Sequence, residues 1–532
     1  MTPAQVQAVA AKYLLRNNRT VGLFIATDKP QRVAVPATPD LPGMVGDYKG
    51  RALVAAGEAF EPTPENIEAR VKRLQLPDGI KVSLLQKKTR GEDVQLTLTL
   101  RYGNEENLKD LENAAGFLPE LMLRGTKKLS YQQLRDELDR LKATLGSGGG
   151  GGRGGRRGGR GGGGGGGALG SVGFSIQAKR DTLPEVLGLL QQVLHEPLLP
   201  ADQFEVMKRA RIAGLEETRT EPGTLAGRLL SRELSPYPKS DIRYIPTTDE
   251  ALKRLESTSY EQVVKLYHDF VGSQNGELSI VGDFDPDSCL PVLHQMLGSW
   301  SAAKPYARIT MPAPPPVPGA LHKINTPDKA NATYTAGMMF PLKDDDTDYP
   351  AALMANYILG GGSLSSRLAN RIRQQDGLSY SVGSTLAVSS LDKRASLSLM
   401  AICNPQNMDR VVKDMREELD RLRQDGVTAE ELEKAKQGFL QSEKVRLTTD
   451  GALTGLLSEL QHVGRTMTYH ADLDKKIEGL TKADVDAAAR KYFDPDKLVV
   501  VVAGDFEAKP ATGNESKPTD PATEQKPKPV IP

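Results

Sequence analysis

The feature that most limits how this chain can fold is a unit that occurs three times in it. Residues 481–506, TKADVDAAARKYFDPDKLVVVVAGDF, align without a gap on residues 259–284, SYEQVVKLYHDFVGSQNGELSIVGDF, so Gly504-Asp505-Phe506 falls on Gly282-Asp283-Phe284. Residues 2–28, TPAQVQAVAAKYLLRNNRTVGLFIATD, follow the same plan with a slightly longer turn. In each copy a Thr or Ser stands at the N-cap of an amphipathic helix. A polar turn follows, and an apolar run fit for a buried strand closes the unit. Three copies of one terminal unit imply three domain ends.

A second echo supports duplication. ADQFEVMK at 201–208 matches AEELEKAK at 429–436, and the strands GSVGFSIQAKRD and RASLSLMAICN precede them. After the second strand, Met408, Val411, Val412, Met415, Leu419 and Leu422 recur at helical spacing and predict one buried face. The expected fold is therefore α+β, with two homologous domains of mixed sheet plus helices over residues 66–304 and 320–507. The first opens with a hairpin: LQL, the turn Pro77-Asp78-Gly79, then IKVSLL, followed by alternating Val94, Leu96, Leu98 and Leu100. Residues 1–28 read as the terminal helix and strand of a preceding domain. Residues 29–65 and the Pro-rich stretch 305–319 read as linkers, and residues 508–532 as a disordered tail.

Residues 148–167 interrupt the first domain with 16 Gly and four Arg. So much Gly cannot bury the surface needed to order itself, and the tract is expected to be a low-complexity surface loop. Its RGG-like steps invite a nucleic-acid reading. It has no aromatic residue for base stacking, however, and 69 basic against 68 acidic residues leave the whole chain near neutral. No nucleic-acid partner is expected, and no apolar run is long enough to span a membrane. The first twenty residues lack the plan of a secretory signal. Two cysteines, Cys289 and Cys403, provide neither a disulfide framework nor a thiolate zinc site. None of the six histidines stands at metal-pair spacing within a helix.

The duplicated plan and several local strings resemble the pitrilysin/insulinase-type inverted zincins, the M16 metallopeptidases, a family that includes insulin-degrading enzyme and the mitochondrial processing peptidase. The resemblance covers about residues 66–507 and implies processing-peptidase-like metallohydrolase domains. In active members H-x-x-E-H on a helix supplies two zinc ligands and a general base, followed by a G-T-K-like turn. Here the passage is AAGFLPELMLRGTKKLS, and registering on Arg124-Gly125-Thr126 puts Gly116, Phe117, Leu118, Pro119 and Glu120 in the motif. Both His are missing and Pro119 stands for the base. The degenerate positions Gly116, Pro119 and Glu120 thus imply no zinc in this chain, and a zinc-bearing partner half.

The second domain keeps its pattern. LGGGSLSSRLANRIRQQDGLSYSVG at 359–383 resembles the family's Gly-rich loop followed by S-R-L, I-R and G-L-x-Y. The resemblance implies that Gly360, Gly361, Gly362, Ser363 and Arg367 form a substrate loop. It also implies that Arg373 and Tyr380 donate hydrogen bonds around the scissile carbonyl of an unfolded peptide. The expected role is a zinc-less half or subunit of a metalloendopeptidase, inactive alone and forming one wall of the peptide chamber. The alternative is a catalytically dead scaffold of the same fold, like the core subunits of the respiratory bc1 complex. Bacterial relatives of this type are often periplasmic, and this chain is expected there only if it follows them; its two cysteines are compatible with either compartment.

Overall fold

A computed structural model describes residues 2–22, 56–77, 79–148 and 169–507. The Gly/Arg insert beyond Gly148, the tail from Ala508, Asp78 of the expected turn and most of the expected strand and linker before residue 56 lie outside the described residues. Residues 1–53 form one unit and residues 54–532 another. In the first, the helix Pro3–Tyr13 starts at a Thr2/Gln5 capping box and has no buried residue.

The larger unit contains two mixed sheets. The first holds β1 (Lys72–Gln75), β2 (Lys81–Gln86), β3 (Asp93–Arg101), β4 (Thr144–Ser147), β5 (Ser171–Lys179) and β6 (Gly276–Gly282), in the order β1-β2-β6-β3-β5-β4. The second holds β7 (Ala320–Asn325), β8 (Ala332–Phe340), β9 (Ser379–Val388), β10 (Ala395–Cys403) and β11 (Val499–Gly504), in the order β7-β11-β8-β10-β9. Only β2/β6 and β7/β11 pair in parallel; every other neighbouring pair is antiparallel. Set β1 aside and the two sheets have one topology.

The repeated unit explains this symmetry. The helices Tyr260–Phe270 and Lys482–Tyr492 both begin in capping boxes, Ser259/Gln262 and Thr481/Asp484, and lead into β6 and β11. Those strands lie inside their sheets, between a parallel and an antiparallel neighbour. Strands buried on both faces need continuous apolar runs, which LSIVG and VVVVAG supply. The hairpin read between LQL and IKVSLL is the β1/β2 pair. Met408, Val411, Met415, Leu419 and Leu422 are buried on the helix Met408–Gln424, and Val412 is half-buried beside them.

One feature of the packing has no counterpart in the local pattern. The helix Asp450–His462, in the second half of the chain, lies on β2, β3 and β6 of the first sheet. The helix Pro222–Leu234, in the first half, lies on β8 and β11 of the second sheet. Each helix thus covers the face of the other half's sheet. Ala226, Leu230 and Leu234 form an apolar core with Val499, Val501 and Ala503. The opposite seam is more polar: Ser83, Thr97, Thr99, Glu277 and Ser279 of the first sheet and Thr454, Ser458 and Gln461 of the helix are all buried. Among the described residues no helix is long and apolar enough to cross a membrane.

Candidate functional site

The degenerate zinc motif lies on the helix Glu112–Met122, with Pro119 inside it. Pro119 has no N–H for the Ala115 carbonyl, yet its ring is buried, so the helix is held by packing rather than by a complete hydrogen-bond ladder. Phe117, Leu118, Leu121 and Met122 are buried in the core of the first half. Across from this helix, Ala201–Glu217 brings Arg211 onto the motif. Its guanidinium lies 3.9 Å from the centre of the Phe117 ring. Arg211 Nη2 donates to the Gly116 carbonyl at 2.9 Å and reaches Glu120 Oε2 at 3.5 Å. Arg124 donates to the other Glu120 oxygen and stacks on Tyr131, 4.8 Å from the ring centre.

These residues do not fit a zinc ion. Zinc needs three protein ligands with lone pairs, and the motif positions offer one carboxylate, Glu120, already bonded to two guanidiniums. A Cβ built on Gly116 would come within 3.2 Å of Arg211 Nη1, so any side chain there would require that guanidinium to give way. Burial pushes the Arg211 guanidinium below its ordinary value and Glu120 offsets part of that, but an arginine stays protonated at physiological pH. A fixed cation already occupies this face. Among the described residues no group of three or more His, Cys, Asp or Glu is placed to hold a metal ion.

The second candidate region is built on two π-helical turns, Tyr357–Gly361 and Ala369–Gln375. Such wide turns are uncommon and frequently mark functional positions. The first carries the Gly run and lies on β9. A Cβ on Gly360 would fall 2.4 Å from the Ser384 backbone nitrogen, so only glycine lets the loop approach the strand this closely. Ser384 Oγ donates to Asn356 Oδ1 at 2.8 Å beneath it. A Cβ on Gly361 would meet Asn356 Nδ2 at 2.8 Å, and one on Gly362 would meet the Tyr357 carbonyl at 2.8 Å. The run is therefore required by packing alone. The Ser363 side chain lies outside the described residues.

Three arginines follow, and their surroundings differ. Arg367 donates to Glu431 from Nε at 2.7 Å and Nη2 at 2.8 Å, and to the Gly426 carbonyl at 2.8 Å. Burial alone would raise the Glu431 carboxyl, but Arg367 holds it below the usual value. Arg371 is fixed by Asp376 at 3.1 Å, Asp414 at 3.2 Å, Glu417 at 3.0 Å and Glu418 at 3.4 Å. Arg373 has no carboxylate partner among the described residues. Its guanidinium lies 4.3 Å from the centre of the Tyr380 ring, and Tyr380 is 82% exposed. Gly377, at φ 63°, turns the chain from the π-helical turn into β9, which puts Tyr380 at the start of that strand. Two arginines bolt the segment down and the third is presented with the tyrosine.

A cavity of about 550 Å³ adjoins the loop, lined by Tyr357, Leu364, Arg367, Asn370, Gln374 and Glu431, among others. Arg367 belongs to its wall, but its guanidinium is committed to Glu431. Sequence reasoning missed Arg211 and Glu431. The first gave no local signal, since it acts on residues far away in sequence; the second lay in the echoed helix start AEELEKAK and was read only as a repeat.

Comparison with known proteins bears on both regions. Residues 257–439 match the family model described as the peptidase M16 inactive domain. The chain is 22% identical to an uncharacterized zinc protease, YmxG, of Bacillus subtilis over 81% of this chain and 98% of that protein. It is 24% identical to a non-peptidase homolog, YmxG, of Helicobacter pylori, over 60% of this chain and 71% of the other. The crystal structure of a peptidase M16 inactive domain from Pseudomonas fluorescens superposes with TM-score 0.69 at 21% identity, covering 82% of this chain and 97% of that one. The periplasmic protease PqqL of Escherichia coli superposes with TM-score 0.63 at 15% identity, covering 94% of this chain and 50% of that one. The motif helix without zinc ligands and the matched domain agree: residues 257–439 carry a peptidase M16 inactive domain, and most of the chain is similar to M16-type proteins.

Proposed function

We propose that this chain is the zinc-less half of a two-part M16 endopeptidase, forming one wall of the peptide chamber while a partner half carries zinc on H-x-x-E-H. The observation that supports this reading is the contrast among the three arginines. Arg367 and Arg371 are consumed by carboxylates, whereas the half-buried Arg373 has none among the described residues and stacks on Tyr380, which is open to solvent. In this reading the guanidinium fork and the phenol hydroxyl reach across to the substrate bound on the partner. There they donate hydrogen bonds where negative charge builds on the scissile carbonyl oxygen. The match to half the length of PqqL is consistent with a chain that completes a longer enzyme.

A scaffold role is the second reading, and the glycine run favours it: close packing explains each of those glycines with no ligand. One experiment separates the two. The chain is co-purified with a zinc-bearing M16 half, and cleavage of an unstructured peptide is followed. Cleavage by the mixture but by neither part alone supports the first reading; association without any gain in cleavage supports the scaffold.

A further inference from the structure

Between the two halves of the larger unit lies a second cavity, of about 350 Å³, that the peptidase reading does not use. It is lined by residues of the first sheet, the inter-sheet linker and the β9–β10 connection. Its charged groups are unevenly satisfied. Asp392 accepts from Arg308 at 2.7 and 2.9 Å and from the Met311 N–H at 3.0 Å. Glu277, behind Arg101, faces Arg101 Nε at 3.0 and 3.1 Å and His462 Nδ1 at 3.1 Å. Both carboxylates are therefore engaged.

The donors are not. Arg101 uses only Nε, and its two terminal nitrogens have no partner among the described residues. Among the described residues Arg394 makes only long side-chain contacts, to Ser235 Oγ at 3.5 Å and Met339 Sδ at 4.0 Å, and no ion pair, although its charge helps hold the Asp392 carboxyl low. Tyr102 is 1% exposed and its hydroxyl has no partner among the described residues, which is costly for a buried polar group. The half-buried Tyr306 hydroxyl is likewise unbonded among the described residues, and its burial pushes the phenol up, so it remains a donor. Leu169, Ile309 and Leu391 supply apolar wall.

Unspent donors, a guanidinium in no ion pair among the described residues and an apolar wall define the missing group: an anion carried beside an apolar substituent. We propose that this cavity binds the C-terminal carboxylate of a peptide, with the last, apolar side chain against Leu169, Ile309 and Leu391. Arg394 provides the counter-charge, and Arg101 and Tyr306 the further donors. The volume suits one or two residues. The proposal does not depend on pairing with a zinc-bearing half.

The test is calorimetric titration of the full chain with N-acetyl-leucine, its amide, benzoate and inorganic phosphate. Saturable binding of N-acetyl-leucine is expected, at least tenfold tighter than the amide and tighter than benzoate or phosphate. Arg394→Gln should weaken it at least tenfold and Arg394→Lys less. Because Arg394 makes no ion pair, the glutamine variant should keep the wild-type melting temperature; if it fails to fold, Tyr306→Phe, expected to weaken the acid but not the amide, takes its place. No saturable binding, equal binding of acid and amide, or unchanged binding in these variants overturns the proposal. Tighter binding of phosphate or of benzoate overturns the assignment to a peptide end.

Discussion

The motif helix of the first half and the π-turn segment of the second descend from the same plan, yet their side chains meet opposite fates. At Glu112–Met122 every chemically useful position is closed. Gly116 lends its carbonyl to Arg211, Phe117 carries that guanidinium on its ring, Pro119 has no proton to give, and Glu120 is shared by two arginines. At Ala369–Gln375 the carboxylates are spent on Arg367 and Arg371, and Arg373 is left stacked on an exposed tyrosine. The difference teaches how to tell a retired site from one still presented. A retired site satisfies its own charges, while a presented one, as proposed for Arg373, leaves a donor with no carboxylate partner among the described residues.

The largest effect that would break this contrast is on turnover. In a complex reconstituted with a zinc-bearing half, Arg373→Ala and Tyr380→Phe should each lower kcat roughly a hundredfold or more, the usual cost of removing one oxyanion donor, about 3 kcal/mol. Arg367→Ala should act instead on stability, because its guanidinium anchors the loop to Glu431. Wild-type rates in both Arg373 and Tyr380 variants would place the second region among the retired sites too.

Next in size is the loop's packing. Gly360→Ala forces a methyl to within 2.4 Å of a backbone nitrogen, and overpacking of this kind costs about 1–3 kcal/mol. Thermal denaturation should show it, and an unchanged melting temperature would mean the loop does not rest on β9 as described. A smaller loss, about 1–2 kcal/mol, is expected for Arg211→Met, which keeps contact with Phe117 but removes the charged hydrogen bonds to Gly116 and Glu120. Elemental analysis sharpens the same point. Neither the wild type nor Gly116→His with Glu120→His, Arg211 being retained, should hold one equivalent of zinc; a tightly held equivalent in either would show that the arginine does not close the site.

The smallest effect tests the seam that holds both regions in one unit. Burial would raise the Glu277 carboxyl, but His462 and Arg101 outweigh it and hold the carboxyl below its ordinary 4.5. A carboxyl lowered on folding contributes stability that is present above about pH 4.5 and is lost as pH falls through the lower folded value. Glu277→Gln should flatten that acid limb of the stability curve. An identical acid limb in wild type and variant would show that the group carries none of it.

Much of the architecture was legible in the residues. The repeated capped helix and apolar run marked β6 and β11 because local capping and a buried strand each leave a short-range signature. The missing histidines at Gly116 and Glu120 were equally plain, since metal ligation depends on residue identity at fixed spacing. The strand residues Ser83, Thr97, Thr99 and Ser279 are a different case. Alternation along β3 marks Val94, Leu96, Leu98 and Leu100 as one apolar face and names no partner for the other, yet Thr97 and Thr99 are buried there too. They are buried because the helix Asp450–His462, hundreds of residues away, crosses over to cover them. The same holds for Arg211 on Phe117 and for Glu431 on Arg367: each guanidinium is spent on a group that no local pattern names. Periodicity and spacing report what a segment can bury or bind; which partner satisfies it is settled only when distant elements pack together, because contact and charge neutralisation act through space and not along the chain.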